Sequence, residues 1–197
     1  MRKLLIIAYK IILRVVSTTG TRRFSLVDKA VKFMRLQAKS NFAEARGHKM
    51  FLDELDILDI SIYGIHEPIE TKLVEGEINK GDVVLDVGAN VGYFTLIFAR
   101  LVGPNGKVYA FEPDPDNFAL LKKNVEMNGY KNVVLVQNAV SDKIEDVQLH
   151  LVPEWGPAHN LFDSFGQNGI SVTVKAIRLD DFFHDYDGRI NFINICI

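Results

Sequence analysis

Residues 81–95 read Gly81-Asp82-Val83-Val84-Leu85-Asp86-Val87-Gly88-Ala89-Asn90-Val91-Gly92-Tyr93-Phe94-Thr95, and after a helix-like run the chain continues Lys107-Val108-Tyr109-Ala110-Phe111-Glu112-Pro113. The run at 83–87, apolar but for Asp86, predicts a strand covered on both faces. A glycine-containing turn, a helix and a second strand ending in an acid follow from the residues after it. The glycine spacing decides which nucleotide-binding plan this is. A dinucleotide fingerprint places glycine at relative positions one, three and six. Here Gly88 is followed by Asn90 and Gly92, Tyr93 takes the place of the third glycine, and Asp86 stands two residues ahead of Gly88. The pattern Asp-x-Gly-x-Asn-x-Gly suits a ligand with no pyrophosphate to cradle, which argues against NAD.

The ligand this turn fits is S-adenosylmethionine. Gly88, with Ala89 and Asn90 beside it, lets the backbone approach a ligand, and Gly92 allows close helix packing. Free N–H groups at the start of a helix over 91–101 can bind a carboxylate. Asp86, at its strand end, accepts from an ammonium group or orients the loop. Glu112 lies 24 residues after Gly88, where an acid reaches both hydroxyls of a ribose and discriminates against a 2′-phosphate. Asn138-Ala139-Val140-Ser141-Asp142 follows a third strand over 133–137, at the carboxyl edge where ligands sit in open α/β sheets. There Asn138 or Asp142 would bond an adenine amino group while Ala139 packs on the ring; a plain strand-ending turn is the alternative.

Strand and helix patterns alternate on either side of this stretch. Pro68 and the acids Glu67 and Glu70 start a helix that runs to about Ile78. Gly103-Pro104-Asn105-Gly106 closes the helix after the turn, and a helix over 114–127 ends at Asn128-Gly129. This is a right-handed βαβαβ half of a doubly wound sheet. Residues 147–152 and 170–177 then read as a β pair joined by a loose segment over 153–168, followed by a short helix at 179–183 and a last apolar strand over 191–197.

The 197 residues suffice for one domain with a real core, and 48% hydrophobic and 24% charged content are ordinary for a globular chain. A lone cysteine, Cys196, excludes a disulfide framework and fits a reducing compartment, so a cytoplasmic location is expected. His48, His66, His150, His159 and His184 match no metal-ligand spacing, so no metal is expected. Charge is lopsided. Residues 1–50 carry twelve Lys and Arg against Asp28 and Glu44, and the rest of the chain is net −12. The acidic body argues against nucleic acid as a partner.

The basic arm is assigned to residues 1–47, ending at Gly47, and the ligand-binding domain to 48–197. Residues 4–16 are apolar apart from Lys10 and Arg14, and a second amphipathic stretch over 24–36 adds Lys29, Lys32 and Arg35. Two readings of residues 1–36 stand side by side. One is an interfacial helix held peripherally on an anionic membrane by apolar burial and basic residues. The other is a helix packed on the catalytic domain or on a second subunit.

Residues 81–128 with Asn138-Ala139-Val140-Ser141-Asp142 resemble class I S-adenosylmethionine-dependent methyltransferases. Ile65-His66-Glu67-Pro68 with Glu70-Thr71, Phe111-Glu112-Pro113-Asp114 and Leu179-Asp180-Asp181-Phe182 narrow the resemblance to the FkbM-type family, over roughly residues 48–197. It implies an α/β, Rossmann-like doubly wound sheet of the class I methyltransferase type, with an N-terminal helical arm. It also implies methyl transfer to a hydroxyl on a sugar, glycan or small metabolite. Asp86, Gly88, Asn90, Gly92, Glu112 and Asn138 take ligand roles by the same resemblance. In such a family the strand at this position reads Ile-Asp-x-Ile-Lys-Ile-Asp-x-Glu-Gly. Here Asn191 and Cys196 replace the two aspartates, Asn194 replaces the lysine and the Glu-Gly is missing, so a chain lacking the C-terminal strands is expected. The alternative function is then a truncated, non-catalytic remnant that at most binds the cofactor. An open edge would expose Phe192, Ile193, Ile195 and Ile197 and favour self-association. The general base is not singled out among Asp142, His66, Glu67 and His159.

Overall fold

The stretch Val83–Val87 forms a strand, and the fold is arranged around it. The computed structural model describes residues 2–19, 25–54, 56, 58–152, 156–160 and 170–196. Helices α1 (Arg2–Thr19) and α2 (Ser25–Ala38) precede a hairpin of β1 (Phe42–Ala45) and β2 (His48–Phe51), then the short α3 (Ile60–Tyr63) and α4 (Pro68–Glu77). The central unit runs β3 (Val83–Val87), α5 (Tyr93–Val102), β4 (Lys107–Phe111), α6 (Pro115–Met127) and β5 (Val133–Val136). After it come β6 (Ala139–Val140), β7 (Glu145–Val152), β8 (Gly156–Asn160), β9 (Ile170–Ile177), α7 (Leu179–Phe182) and β10 (Phe192–Ile195).

The central sheet has the order β10-β3-β4-β5 and all its pairs are parallel. Alternation along the strands fills two cores. Val84, Val108 and Ala110 face one side and pack with Leu96, Ile97 and Phe98 of α5. Leu85, Tyr109, Phe111 and Val136 face the other, where Leu179, Phe183 and Ile190 cover them. The rings of Phe182 and Phe183 meet Tyr109 and Phe111 edge-on. Both faces of β3 and β4 are therefore covered, which is why the sequence there is apolar without alternation.

Buried amides tie the layers together. Asn124 on α6 is fully buried; its side chain bonds the carbonyls of Phe51 and Val91 and accepts from the Phe51 N–H. Asn132 donates to the carbonyls of Ala99 and Gly103, closing the C-terminal end of α5. Each such group needs its partners, because a buried amide left unpaired is costly.

Three expectations change. Gly47 does not end an arm: with Arg46 it forms the left-handed turn between β1 and β2, so the boundary at 47 cuts through a hairpin. The segment 153–168 is not uniformly loose, since β8 pairs antiparallel with β7; residues 153–155 and 161–169 lie outside the described residues. A second sheet of order β6-β9-β7-β8 also appears, in which β6 was not foreseen. At the edge of the central sheet, Ile193 and Ile195 of β10 are exposed as expected, but Phe192 packs against Phe98. Ile197 lies outside the described residues.

Helices α1 and α2 are docked on the body rather than loose. Tyr9, Val16, Val31, Ala38 and Ile62 form a core of their own. Arg2 bonds the carbonyls of Ala38 and Ser61, and Arg35 pairs with Asp59 at 2.8 Å. No helix among the described residues is long and apolar enough to cross a membrane.

Candidate functional site

The turn after β3 is built from left-handed residues. Gly88, Asn90 and Gly92 have φ of 78°, 52° and 93°. Two of them are glycine for packing reasons that the surroundings make plain. A Cβ on Gly92 would lie 2.7 Å from Leu121 Cδ1 on α6, so its absence permits the close helix packing expected of it. A Cβ on Gly88 would collide with the carbonyl oxygen of Cys196, beyond the end of β10. Gly88 is thus spared a side chain for a neighbouring strand; its expected approach to a ligand is a second reason at most.

The N–H groups of the turn are largely used inside the fold. Gly88 and Ala89 both donate to the Phe111 carbonyl, at 3.0 and 2.9 Å, and Gly92 donates to the Ala89 carbonyl. Asn90 donates to Glu112 Oε2 at 2.7 Å, and its own side chain accepts from the Val91 N–H. Helix α5 starts at Tyr93, two residues later than expected, and no side chain caps its first turn. The donors expected at Val91 therefore move to that first turn.

Two acids sit at the ends of neighbouring strands and both are buried. Glu112 accepts from the N–H groups of Asn90 and Asp114, one on each oxygen, and so joins the ends of both strands. Burial pushes its carboxyl up to about 7; those two N–H bonds oppose the shift, and nearby Asp114 and Asp86 add to it. Asp86 takes the Thr95 hydroxyl on one oxygen and the Asn194 amide on the other, the latter at 2.9 Å. Burial raises its carboxyl as well, against the two bonds. Thr95 is not singled out by the sequence, and Asn194 stands there only as a departure from the family's strand. Thr95 did carry a signal, as a hydroxyl in a helix whose remaining polar groups are only Tyr93 and Arg100.

The third element of the expected pocket is only partly assembled. Ala139 is 1% exposed, packed with Leu149, Val174 and Ala176 in the core of the second sheet. It therefore cannot stack on a ring, because β6 pairs with β9 and turns it inward. The Asn138 amide donates to the Lys175 carbonyl at 3.2 Å. Next to them Val140, Ser141, Asp142, Arg178, Leu179 and Asp180 line an open cleft of ≈ 260 Å³.

The polar substitutions on the last strand have partners. Asn191 accepts from the Val83 N–H at 3.0 Å and so fastens the start of β10 to β3, while Asn194 serves Asp86. The Cys196 thiol is pushed up by burial and by Glu67, Asp86 and Glu112, surroundings that disfavour a thiolate. His66 lies 3.6 Å from Glu67 and meets the rings of Tyr93 and Phe94 edge-on. The His159 side chain lies outside the described residues. No group of three or more His, Cys, Asp or Glu able to hold a metal occurs among the described residues.

A family model described as the methyltransferase FkbM domain matches residues 86–195. The protein-L-isoaspartate O-methyltransferase of Methanococcoides burtonii is 33% identical over 105 residues, which are 49% of this chain and 50% of that protein. The 31-O-demethyl-FK506 methyltransferase FkbM of Streptomyces tacrolimicus is 48% identical over 67 residues, 34% of this chain and 25% of that one. The chain thus spans about half the length of the first and a quarter of the second. Among solved structures, a putative rRNA-methylase from Clostridium thermocellum aligns at 26% identity with a TM-score of 0.35, covering 36% of this chain and 39% of that one.

Proposed function

This chain belongs to the methyltransferase FkbM domain family, and from that premise we propose that it binds S-adenosylmethionine at the ends of β3 and β4 and transfers the methyl group to a hydroxyl of a sugar, glycan or small metabolite. The observation that carries the reading is Glu112. It is a buried carboxylate at a strand end, joined to the glycine turn through the Asn90 N–H. Each of its oxygens takes one backbone N–H and keeps a further lone pair, so two ribose hydroxyls match what it still accepts. The uncapped first turn of α5 offers N–H donors for a carboxylate. Asp142, at the rim of the open cleft, and the side-chain oxygen of Asn138, whose amide nitrogen serves Lys175, are the acceptors for an adenine amine, while Ala139 drops out.

The cofactor supplies a sulfonium methyl open to in-line displacement. The chain's part is alignment of the two reactants and removal of the acceptor's proton. Among the candidate bases, His66 and Glu67 stand together at the start of α4, 3.6 Å apart, with His66 against the rings of Tyr93 and Phe94 in the first turn of α5. That pair is our assignment for the acceptor end.

Titration with S-adenosylhomocysteine tests cofactor binding. Glu112→Ala should weaken it by about 1–3 kcal/mol, the cost of leaving polar groups unpaired; unchanged affinity removes the ribose assignment. Because hydroxyl donors favour the ionised carboxyl, binding near pH 7 should release protons, seen as a dependence of the observed heat on buffer ionisation. Radiolabelled methyl transfer to hydroxylated sugars, with an isoaspartyl peptide as comparison, tests the acceptor class. Label on the peptide alone would discard the hydroxyl reading.

A further inference from the structure

We propose that α1 lies flat in the interface of an anionic lipid surface, held by an apolar row on its outward side. The inner side of α1 is fully engaged: Tyr9 and Val16 are buried, Leu5, Ile6 and Leu13 pack with them, and Arg2 ties the helix to residues 38 and 61. At 100° per residue, Leu4, Ile7, Ile11 and Val15 fall together on the opposite side. They are 72%, 54%, 59% and 54% exposed. A helix apolar on both sides needs a second covering, since isolated exposed side chains are ordinary but a continuous row is not.

The charges identify the covering. Lys3, Lys10 and Arg14 run along one flank of the row, exposed, and α1 has no acidic residue. Helix α2 repeats the arrangement, with Leu26, Phe33 and Leu36 exposed and Lys29 and Lys32 among them. Together the two helices carry seven basic residues against Asp28 alone. A second copy of this chain would set positive charge against positive charge on such a face. An anionic lipid surface offers acyl chains to the row and phosphates to its flank. The helix lies along the surface rather than through it, because its 18 residues do not make a span long and apolar enough to cross.

Co-sedimentation of the full chain with vesicles of phosphatidylcholine, with and without phosphatidylglycerol, tests the proposal. Binding to the anionic vesicles should exceed binding to the neutral ones by about tenfold or more and fall in high salt. The double variant Ile7→Glu with Ile11→Glu should lose about tenfold or more of that binding. Lys3→Gln with Arg14→Gln should lose roughly fivefold per charge and flatten the salt dependence. Circular dichroism of both variants establishes that they are folded. Equal binding to the two vesicle types, or anionic binding that survives the double glutamate variant, overturns the proposal. So does a vesicle-free dimer that the same variant dissolves, which would assign the row to a second copy.

Discussion

The ends of β3 and β4 and the outer side of α1 are opposite departures from the usual placement of residues. At the strand ends, two carboxyl groups are buried; on α1, a row of isoleucine, leucine and valine faces out. Each arrangement costs free energy in the isolated chain, through desolvation in the first case and exposed apolar area in the second. The fold compensates the two differently. Asp86 and Glu112 are supplied with internal donors, so the strand ends hold together without any ligand. The row on α1 receives nothing from the rest of the described chain. An interior polar group must be satisfied for the protein to fold at all, whereas an exterior apolar one can wait for its partner.

Substitutions can break this contrast, and the largest effect belongs to the interior. Gly88→Ala places a Cβ against the Cys196 carbonyl at a positive φ, and should cost about 4 kcal/mol, read from urea unfolding. A loss below 1 kcal/mol would mean that β10 is readily displaced from the turn.

Next comes Glu112→Gln, through its dependence on pH. Glu112 is raised from 4.5 to about 7 in the folded chain. Its contribution is therefore fully present below 4.5 and lost as pH rises through 7, a swing of about 3 kcal/mol. His48 works in the opposite sense: burial and then Arg100 lower it to about 4, so stability is present above 6.5 and lost toward 4. The wild-type curve mixes the two, so the difference between wild type and Glu112→Gln is the quantity to follow. The variant should gain relative stability from pH 5 to 8.

Thr95→Val keeps the shape but removes one donor from Asp86, and should cost about 1–3 kcal/mol. On the outer side, Ile7→Glu with Ile11→Glu should shift unfolding by no more than about 0.5 kcal/mol each, as surface changes do. A large loss there would mean that the row is already covered within the protein, and the contrast would vanish.

Local signals carried most of the fold. The run Val83–Val87, the stop at Gly103 and the end of α6 at Asn128-Gly129 all act within a few residues and were legible as such. Glu112 was legible because a strand end fixes where its side chain goes. What escaped depends on residues far apart in sequence. Ala139 looked available until β6 paired with β9, 37 positions on. Asn194 looked like a gap in a motif until its amide was seen on Asp86, and Gly88 faces a residue at the other end of the domain. The hairpin at Arg46-Gly47 was hidden differently, since a run of basic residues continued through it and charge was taken as the boundary.

The contact between Gly88 and Cys196 also has a consequence in time. Bonds from β10 to β3 bridge 108 positions of sequence, so the turn meets its last neighbour only after β4 through β9 have been synthesised. Until then a nascent chain carries a half-satisfied carboxylate at Asp86 and a strand edge open to other chains. Contacts of such range slow folding. The turn that is earliest to read in the sequence must wait, on the ribosome, for a strand made 108 residues later.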